Sequence, residues 1–248
     1  MTILSVNLNK IALLRNSRGH DYPHVITMAE RALQAGAEGV TIHPRPDQRH
    51  ATYQDVIELK TWISDHPGKE LNIEGYPSEK FMDVVIAAQP HQCTLVPDAD
   101  NQLTSDHGWS LPEQTELLQP IISRLKEAGI RVSLFVDNDP QVATAAVETG
   151  TDRVELYTGP YAEAYTTDQQ SAMTLSYAKT AQAAAASGLG INAGHDLDLK
   201  NLHYLISEIP AIAEVSIGHA LTAEALNYGW DETIKRYVKI LQQAQDQD

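Results

Sequence analysis

The chain has 248 residues, with 18 Lys and Arg against 33 Asp and Glu, which gives a net charge of −15. Its 42% hydrophobic and 21% charged residues are typical of a globular protein and exclude disordered, collagen-like and membrane-spanning architectures. The acidic balance argues against a nucleic-acid partner, while the single cysteine, Cys93, and the absence of a basic leader predict a cytoplasmic protein without disulfides.

Short β-rich segments alternate with helical segments along the whole chain. Segments rich in Val, Ile and Leu predict strands at 3–7, 39–43, 71–74, 92–97, 131–137, 153–158, 190–195 and 213–219. We predict helices at 23–37, 53–65, 78–88, 112–128, 140–149, 168–187 and 198–208, and a final helix that ends near 244. Strands that alternate with helices in this way are typical of parallel βαβ units.

The number of βα units indicates the architecture. Eight units in 248 residues match a (β/α)8 TIM barrel. The alternative, a doubly wound open sheet, would place a glycine-rich turn after the first strand, where this chain has Asn-Leu-Asn-Lys. We therefore predict one barrel domain over 1–248 with extra helices. We expect a polar loop after the first strand, an insertion at 159–168, and a long connection at 98–111 that is a candidate lid.

Polar and titratable residues stand at the carboxyl ends of most predicted strands. They are Asn7, His43, Glu74, Asp137, Glu155, His195 and His219. Catalytic groups of TIM barrels lie at this end, and buried titratable groups are costly unless they are paired or hydrated. Any one of them could be a structural residue, but their convergence indicates an acid–base site. Cys93, early in the fourth strand, is expected in the core.

Basic residues gather in two loops of this acidic chain. One loop follows the second strand and the other follows the first, and their basic residues are Arg45, Arg49 and His50, and Lys10, Arg15 and Arg18. Arginine binds phosphate bidentately. Gly194 and Gly218 end the last two strands, where barrels commonly bind phosphate and where glycine allows close approach to the backbone. This pattern favours two phosphate sites over one phosphate site and a solvated basic face.

A metal ion and a Schiff-base lysine are two other devices that a barrel could use. The histidines and glutamates at the strand ends could form a ligand set, but no H-x-H or H-E-x-x-H pair supports one. No lysine stands at a strand end, and Lys10 in the first loop is the nearest. The sequence therefore favours acid–base chemistry over both.

Eight motifs occur in order along nearly the whole chain. They are VNLNKIALLRNSRG at 6–19, TIHPRPDQRH at 41–50, NIE at 72–74, LVP at 95–97, VSLFVD at 132–137, ELYTG at 155–159, NAGH at 192–195 and IGHA at 217–220. Each motif is weak alone, but the ordered set closely resembles the pyridoxine 5′-phosphate synthase family. The resemblance implies a (β/α)8 barrel with extra helices that assembles as an octamer and needs neither a metal nor an organic cofactor.

The resemblance also implies a reaction and the residues that carry it. The family condenses 1-deoxy-D-xylulose 5-phosphate with 3-amino-2-oxopropyl phosphate to give pyridoxine 5′-phosphate, phosphate and water, so both partners are phosphorylated small molecules. By position, His43 and Glu74 match the general bases, His195 the proton donor, and Glu155 a group that stabilises a transition state. The family's contacts to the sugar phosphate fall at Arg45, His50 and Thr104. Its contacts to the aminoketone phosphate fall at Asn7, Arg18, Gly218 and His219.

Two departures from the family pattern fall on substrate-binding positions. Many members have Asp-His where this chain has Asn9 and Lys10, which replaces a carboxylate and places an amine beside the sugar phosphate. The family often has glycine after the donor histidine, where this chain has Asp196. The backbone N–H of Asp196 can still donate, but its carboxylate has to turn away from phosphate. We expect Asn9, Lys10 and Asp196 to contact substrate.

Two other functions remain open on the sequence alone. One is a different phosphosugar enzyme, such as an isomerase or epimerase, which would use fewer acid–base groups and one phosphate site. The other is a non-catalytic barrel that binds a phosphorylated metabolite in a regulatory or scaffolding role, for which the two departures are the support. Binding of one phosphosugar without an amine partner would favour the first of these.

Overall fold

Eight parallel strands close into a barrel in the computed structural model of the protein, which describes residues 1–98, 102 and 104–245. The strands are β1 Ile3–Asn7, β2 Gly39–Ile42, β3 Glu70–Gly75, β4 Gln92–Leu95, β5 Arg131–Val136, β6 Arg153–Tyr157, β7 Gly190–Gly194 and β8 Ile212–Ile217. Each strand pairs with the next in the chain, and β8 pairs with β1 from Ile3 opposite Glu214 to Val6 opposite Ile217. The predicted (β/α)8 TIM barrel is confirmed.

Helices surround this barrel. In the described part of the chain they are α1 Asn9–Asn16, α2 Val25–Gln34, α3 Tyr53–Ile63, α4 Glu79–Ala88, α5 Thr115–Glu127, α6 Pro140–Ala145, α7 Gly159–Ala164, α8 Gln170–Ala186, α9 Leu202–Glu208, α10 His219–Tyr228 and α11 Trp230–Gln245. A 3-10 helix, Ala146–Thr149, continues α6. Among the described residues, no helix combines the length and the apolar character that a membrane crossing requires.

The segment after β1 is a helix, so the predicted polar loop was wrong. The Asn7 side chain accepts a hydrogen bond from the Asn9 backbone N–H at 3.0 Å at the start of α1. Leu8, Ile11 and Ala12 are buried. These apolar residues have the spacing of one helix face, and polar side chains between them obscured the pattern.

Other differences lie at the ends of predicted elements. The insertion at 159–168 contains α7, with a proline in its first turn. The predicted final helix is two helices, α10 and α11, separated by Gly229. The predicted helices at 112–128 and 198–208 begin at Thr115 and Leu202, and the helix at 140–149 ends as a 3-10 turn. His43, Asp137, His195 and His219 lie just beyond their strands, which end one or two residues earlier than predicted.

Packing divides the barrel into an apolar outer layer and a polar interior. Apolar strand residues such as Val6, Val40 and Leu71 are fully buried in the hydrophobic core, as is Cys93, which confirms its predicted place. Buried polar side chains bond to one another: the Ser5 and Thr41 hydroxyls are 2.7 Å apart. Because buried polar groups need partners, such chains of contacts allow a polar barrel interior.

Candidate active site

The predicted strand-end residues meet in one cavity at the carboxyl ends of the strands, with a volume of about 440 Å³. Its lining includes Asn7, Asn9, Lys10, His43, Arg45, His50, Glu74, Thr104, Glu155, His195, Asp196, Gly218 and His219. Two predicted residues are not part of that lining. Arg18 is exposed beyond the end of α1, and Asp137 accepts a hydrogen bond from the Gly108 backbone N–H at 3.0 Å.

Further residues line this cavity that the family pattern did not assign. They are Leu13, Arg49, Ser105, Leu197, Ser216, Ile217 and Ala220. Arg49 belongs to the basic loop after β2, whereas Arg15, which lies in α1, forms an ion pair with Asp55. Ser216 is the second-last residue of β8, and its hydroxyl donates to Glu74. Successive side chains of a strand point to opposite faces, so the sequence of β8 could have placed Ser216 on the face that bears the site.

Glu74 and Glu155 are buried carboxyl groups that form no ion pair with any residue the structure describes. Asn7 Nδ2 donates to Glu74 at 3.4 Å and Ser216 Oγ donates to it at 3.5 Å, both long contacts. Burial, followed by the nearby carboxylates of Asp98 and Glu214, raises the pKa of Glu74 to about 8. Burial and the charge of Glu74 also raise the pKa of Glu155 well above its usual range. With a pKa of about 8, Glu74 holds its proton at neutral pH.

His43 and His50 are neutral for related reasons. Burial, and then the charge of Arg45, lower the pKa of His43 well below its usual range. Burial and the charges of Arg45, Arg49 and Lys10 lower the pKa of His50 to about 4. The Ala51 backbone N–H donates to His50 Nδ1 at 2.9 Å, so the neutral ring carries its proton on Nε2. His43 can therefore accept a proton, while His50 can donate a hydrogen bond.

The backbone around His43 depends on a residue that departs from the family pattern. Asn9 Oδ1 accepts a hydrogen bond from the His43 backbone N–H at 2.8 Å. An amide oxygen performs this role as well as a carboxylate oxygen would, because only an acceptor is needed. The substitution at position 9 is therefore compatible with an intact site.

His195 occupies a strained and closely packed position. Its backbone φ is 79° and that of Asp196 is 57°, both in the left-handed region. The Thr158 hydroxyl contacts the carbonyl oxygens of Gly194 and His195, and the ring lies 4.9 Å from that of Phe135. Burial lowers the pKa of His195. Its Nδ1 is buried and has no hydrogen-bond partner among the described residues.

The two strand-end glycines make room for side chains of the site itself. A Cβ atom at Gly194 would collide with the Glu155 carboxyl group, and one at Gly218 would lie 2.9 Å from the Cβ of Asn7. The sequence suggested that glycine allows a ligand to approach. The structure shows that each glycine first allows a cavity side chain to reach its position.

Cations dominate the side of the cavity formed by the loop after β2. Arg45 and Arg49 line it together with Lys10 of α1, in a chain whose net charge is −15. Arg45 forms an ion pair with Asp98 in which 5% and 2% of the two side chains are exposed. The described residues contain no cluster of three His, Cys, Asp or Glu side chains placed to hold a metal ion.

Comparisons with known sequences agree with the motifs. The sequence model of the family described as "Pyridoxal phosphate biosynthesis protein PdxJ" matches residues 4–243. The chain belongs to this family. A pyridoxine 5′-phosphate synthase of Mesorhizobium japonicum is 53% identical over 238 residues, which cover 95% of this chain and 97% of the relative. A second pyridoxine 5′-phosphate synthase, from Brucella anthropi, is 52% identical over an alignment that covers 96% of this chain and 98% of the relative. Family membership makes the protein an enzyme of vitamin B6 biosynthesis.

Solved structures outside the family support the fold. A tryptophan synthase structure from M. tuberculosis superimposes with a TM-score of 0.66 at 11% identity and covers 97% of this chain and 93% of that chain. The YdjI aldolase of Escherichia coli K12 superimposes with a TM-score of 0.60 at 11% identity. The superposition covers 99% of this chain and 89% of the aldolase chain. At such identities the likeness concerns the barrel alone.

Proposed function

We propose that the protein condenses 1-deoxy-D-xylulose 5-phosphate with 3-amino-2-oxopropyl phosphate to give pyridoxine 5′-phosphate, phosphate and water. The observation that carries this proposal is the convergence of two buried histidines, two buried glutamates with raised pKa values and several cations in one cavity of about 440 Å³. A condensation with several proton transfers needs acids and bases at different angles around one ligand. An isomerase would need fewer of them.

The two phosphate groups would occupy different sides of the cavity. On one side, Arg45, His50 and Thr104 would bind the sugar phosphate, and Lys10 adds a cation there. On the other side, the ends of β1 and β8 bring together Asn7 with Gly218 and His219 for the aminoketone phosphate. The α10 helix begins at His219, and a helix N-terminus favours an anion. Arg18 is exposed outside this cavity, so its proposed contact is the least supported by the geometry.

The proton transfers would begin from neutral side chains. His43 has a lowered pKa and can accept a proton at neutral pH. A pKa of about 8 lets Glu74 both donate and accept protons close to neutrality, and it acts as a general base once it has given up its proton. His195 would donate to a leaving oxygen, and the phosphate of a bound substrate would favour its protonated form. Glu155 would stabilise a transition state by donating a hydrogen bond.

The reaction uses these groups in sequence. The amine attacks the sugar ketone to give an imine with loss of water, a step that needs both acid and base. Enolisation then expels phosphate and water adds. A carbon–carbon bond closes the ring, and further loss of water makes it aromatic. Neither a metal nor an organic cofactor is part of this proposal.

Product formation tests the proposed function directly. Purified protein is incubated with both substrates without added metal, pyridoxine 5′-phosphate is followed by mass spectrometry, and phosphate by a colour assay. We expect product and phosphate in equal amounts. A folded protein that makes no product would contradict the proposal and favour another phosphosugar enzyme or a metabolite-binding barrel.

We also propose a single-domain, cytoplasmic enzyme that assembles as a homo-octamer, as the family resemblance implies. Light scattering on the purified protein measures the assembly, and a monomer would contradict it. The lid at 98–111 stays a prediction, because residues 99–101 and 103 of that connection lie outside the described residues.

A further inference from the structure

One buried carboxylate that the proposed reaction does not use stands beside the cavity. Asp98 follows β4, and 2% of its side chain is exposed. Its Oδ2 accepts hydrogen bonds from Arg45 Nη2 and, at 2.7 Å, from Ser105 Oγ. Its Oδ1 is buried and has no partner among the described residues. A single carboxylate thus contacts side chains from two loops.

Arg45 lies between Asp98 and the substrate cavity. It lines the large cavity and also a small one of about 20 Å³, which Asp98 lines as well. A guanidinium group has five N–H donors in a fixed plane, and in the described part of the chain Asp98 is its one hydrogen-bond partner. Holding one edge of the plane fixes the direction of the others. The remaining donors are therefore available to a phosphate group in a set orientation.

Ser105 extends the same arrangement to the loop after β4. It is 3% exposed, lines the large cavity, and directly follows Thr104, the residue expected to contact the sugar phosphate. Its hydrogen bond to Asp98 fixes the backbone next to Thr104. Two of the three expected phosphate contacts of this side, Arg45 and Thr104, are therefore connected to one carboxylate.

We propose that Asp98 is a positioning residue: it orients the Arg45 guanidinium and the Thr104–Ser105 segment for the phosphate of the sugar substrate. The Asp98 carboxylate is the counter-ion of a buried cation, which would otherwise be unpaired at high cost. When phosphate binds, the two anions compete for one guanidinium. The Asp98 carboxylate therefore lowers the affinity of the site for phosphate and fixes the orientation of the Arg45 guanidinium. This inference rests on the proposed function, since it assigns Arg45 to a phosphorylated substrate.

The Asp98→Asn variant tests this role because it removes the charge and keeps the shape. We expect kcat to fall at least tenfold, because Arg45 is no longer held in one direction. We expect the affinity for inorganic phosphate, measured by calorimetry, to rise at least threefold, because a competing anion is gone. Unchanged kcat would overturn the proposal. So would unchanged or weakened phosphate binding, which would show an inert residue or a collapsed cavity.

Two further variants separate positioning from a merely structural role. Asp98→Glu keeps the carboxylate, and the small cavity beside it leaves space for a longer side chain. We expect this variant to keep kcat and phosphate affinity within threefold of the wild type, and a tenfold loss of kcat like that of Asp98→Asn would contradict the proposal. Asp106→Asn is the matched control, because Asp106 is exposed and bonds to Gln102 in the same connection. It should leave both values unchanged.

A double variant covers the case in which Asp98→Asn does not fold. Arg45→Gln combined with Asp98→Asn leaves no unpaired buried charge. If Asp98 acts through Arg45, the double variant and Arg45→Gln alone should have kcat values within twofold of each other. A further tenfold loss in the double variant would overturn the proposal.

Failure of the proposed function remains distinguishable. A wild-type protein that makes no pyridoxine 5′-phosphate refutes the reaction but still binds inorganic phosphate if Arg45 has the expected role. In that case the phosphate affinities of the wild type, Asp98→Asn and Asp98→Glu decide the role of Asp98. Equal affinities in all three would overturn it.

Discussion

Two glutamates of β3, Glu70 at the amino end of the barrel and Glu74 at the carboxyl end, have opposite electrostatic surroundings. At the amino end, Arg131 forms an ion pair with Glu70, and Arg153 Nη1 donates to Glu214 at 3.3 Å. At the carboxyl end, the hydrogen bonds of Glu74 within residues 1–98, 102 and 104–245 are long contacts to the neutral side chains of Asn7 and Ser216. Carboxylates that are paired with arginine contribute to the fold, whereas one that is left without a cation keeps a proton that it can transfer.

The pKa values of the two β3 glutamates follow this difference, whereas burial raises the pKa of Glu214 even beside Arg153. Burial raises the pKa of Glu70, but the hydrogen bond and charge of Arg131 outweigh it, so the pKa of Glu70 is lowered overall. At Glu74, burial is reinforced by Asp98 and Glu214 and raises the pKa to about 8. Two glutamates on the same strand, β3, therefore differ at neutral pH: Glu70 is ionised and Glu74 is protonated.

The largest effect is expected from Glu74→Gln, which removes the group that distinguishes the carboxyl end. Turnover should fall about 10²–10⁴-fold, the usual contribution of a general acid or base. The fold should persist, because glutamine keeps the size and loses only a carboxyl group that is already neutral. Product formation and circular dichroism measure the two results. Substantial remaining activity would contradict the assigned role.

The pH dependence of turnover sharpens the comparison. If Glu74 acts as a base, kcat/KM should rise with pH, about tenfold per unit, until the pH reaches the pKa of about 8. The reason is that only the deprotonated fraction can accept a proton. Steady-state kinetics between pH 6 and 9 measure the profile. A flat profile across this range would contradict the role of Glu74 as the general base.

The same titration affects stability. The folded protein holds the Glu74 proton more tightly than the unfolded chain, in which the pKa is 4.5. Its contribution to the free energy of unfolding is therefore complete below pH 4.5 and is lost as the pH rises through about 8. Glu74→Gln should gain stability relative to the wild type from pH 5 to pH 8, as measured by urea unfolding. An equal difference at both pH values would contradict the raised pKa.

At the amino end, Arg153→Met should act on stability and spare the chemistry. It leaves Glu214, which is 4% exposed, without its cation, while Arg153 itself is 21% exposed. We expect a loss of about 2 kcal/mol, less than the roughly 3–5 kcal/mol of a fully buried pair. Urea unfolding measures the loss, and kcat should stay within threefold.

The matched control for this variant is an exposed pair. Arg31 and Asp231 join α2 to α11 with 44% and 48% of their side chains exposed. Arg31→Met should change the free energy of unfolding by less than about 1 kcal/mol. Equal losses in the two variants would show that burial of the ion pair does not decide its contribution.

The smallest expected effect concerns Asp196 at the rim of the cavity. A non-glycine residue in the left-handed region is strained, and Asp196→Gly should gain about 0.5–1 kcal/mol, or about 1–4 °C in Tm. Removal of a negative charge beside the cavity should also lower KM for the phosphorylated substrates. Gln89→Gly is the control, because Gln89 has φ 48° at the end of α4 and does not line the cavity. A raised KM for Asp196→Gly would show that the carboxylate binds substrate.

The sequence by itself determined the barrel and most of the cavity lining. Parallel strands need apolar segments at regular spacing, so the eight strands were visible, and the residue after each strand falls at one end of the barrel by topology alone. His43, Glu74, His195 and His219 were found in this way. The helix α1 was missed because its short apolar face is interrupted by polar residues.

Only the tertiary structure decided which charges are paired. The sequence places Glu74 at a strand end but does not show which charges surround it: Glu70 is paired with Arg131 from β5, whereas Glu74 lies within the electrostatic influence of Asp98 and Glu214. Nor does the sequence show that Arg45 contacts Asp98 across 53 residues. Burial and pairing depend on side chains brought together from distant strands, and these set the protonation states on which the chemistry depends.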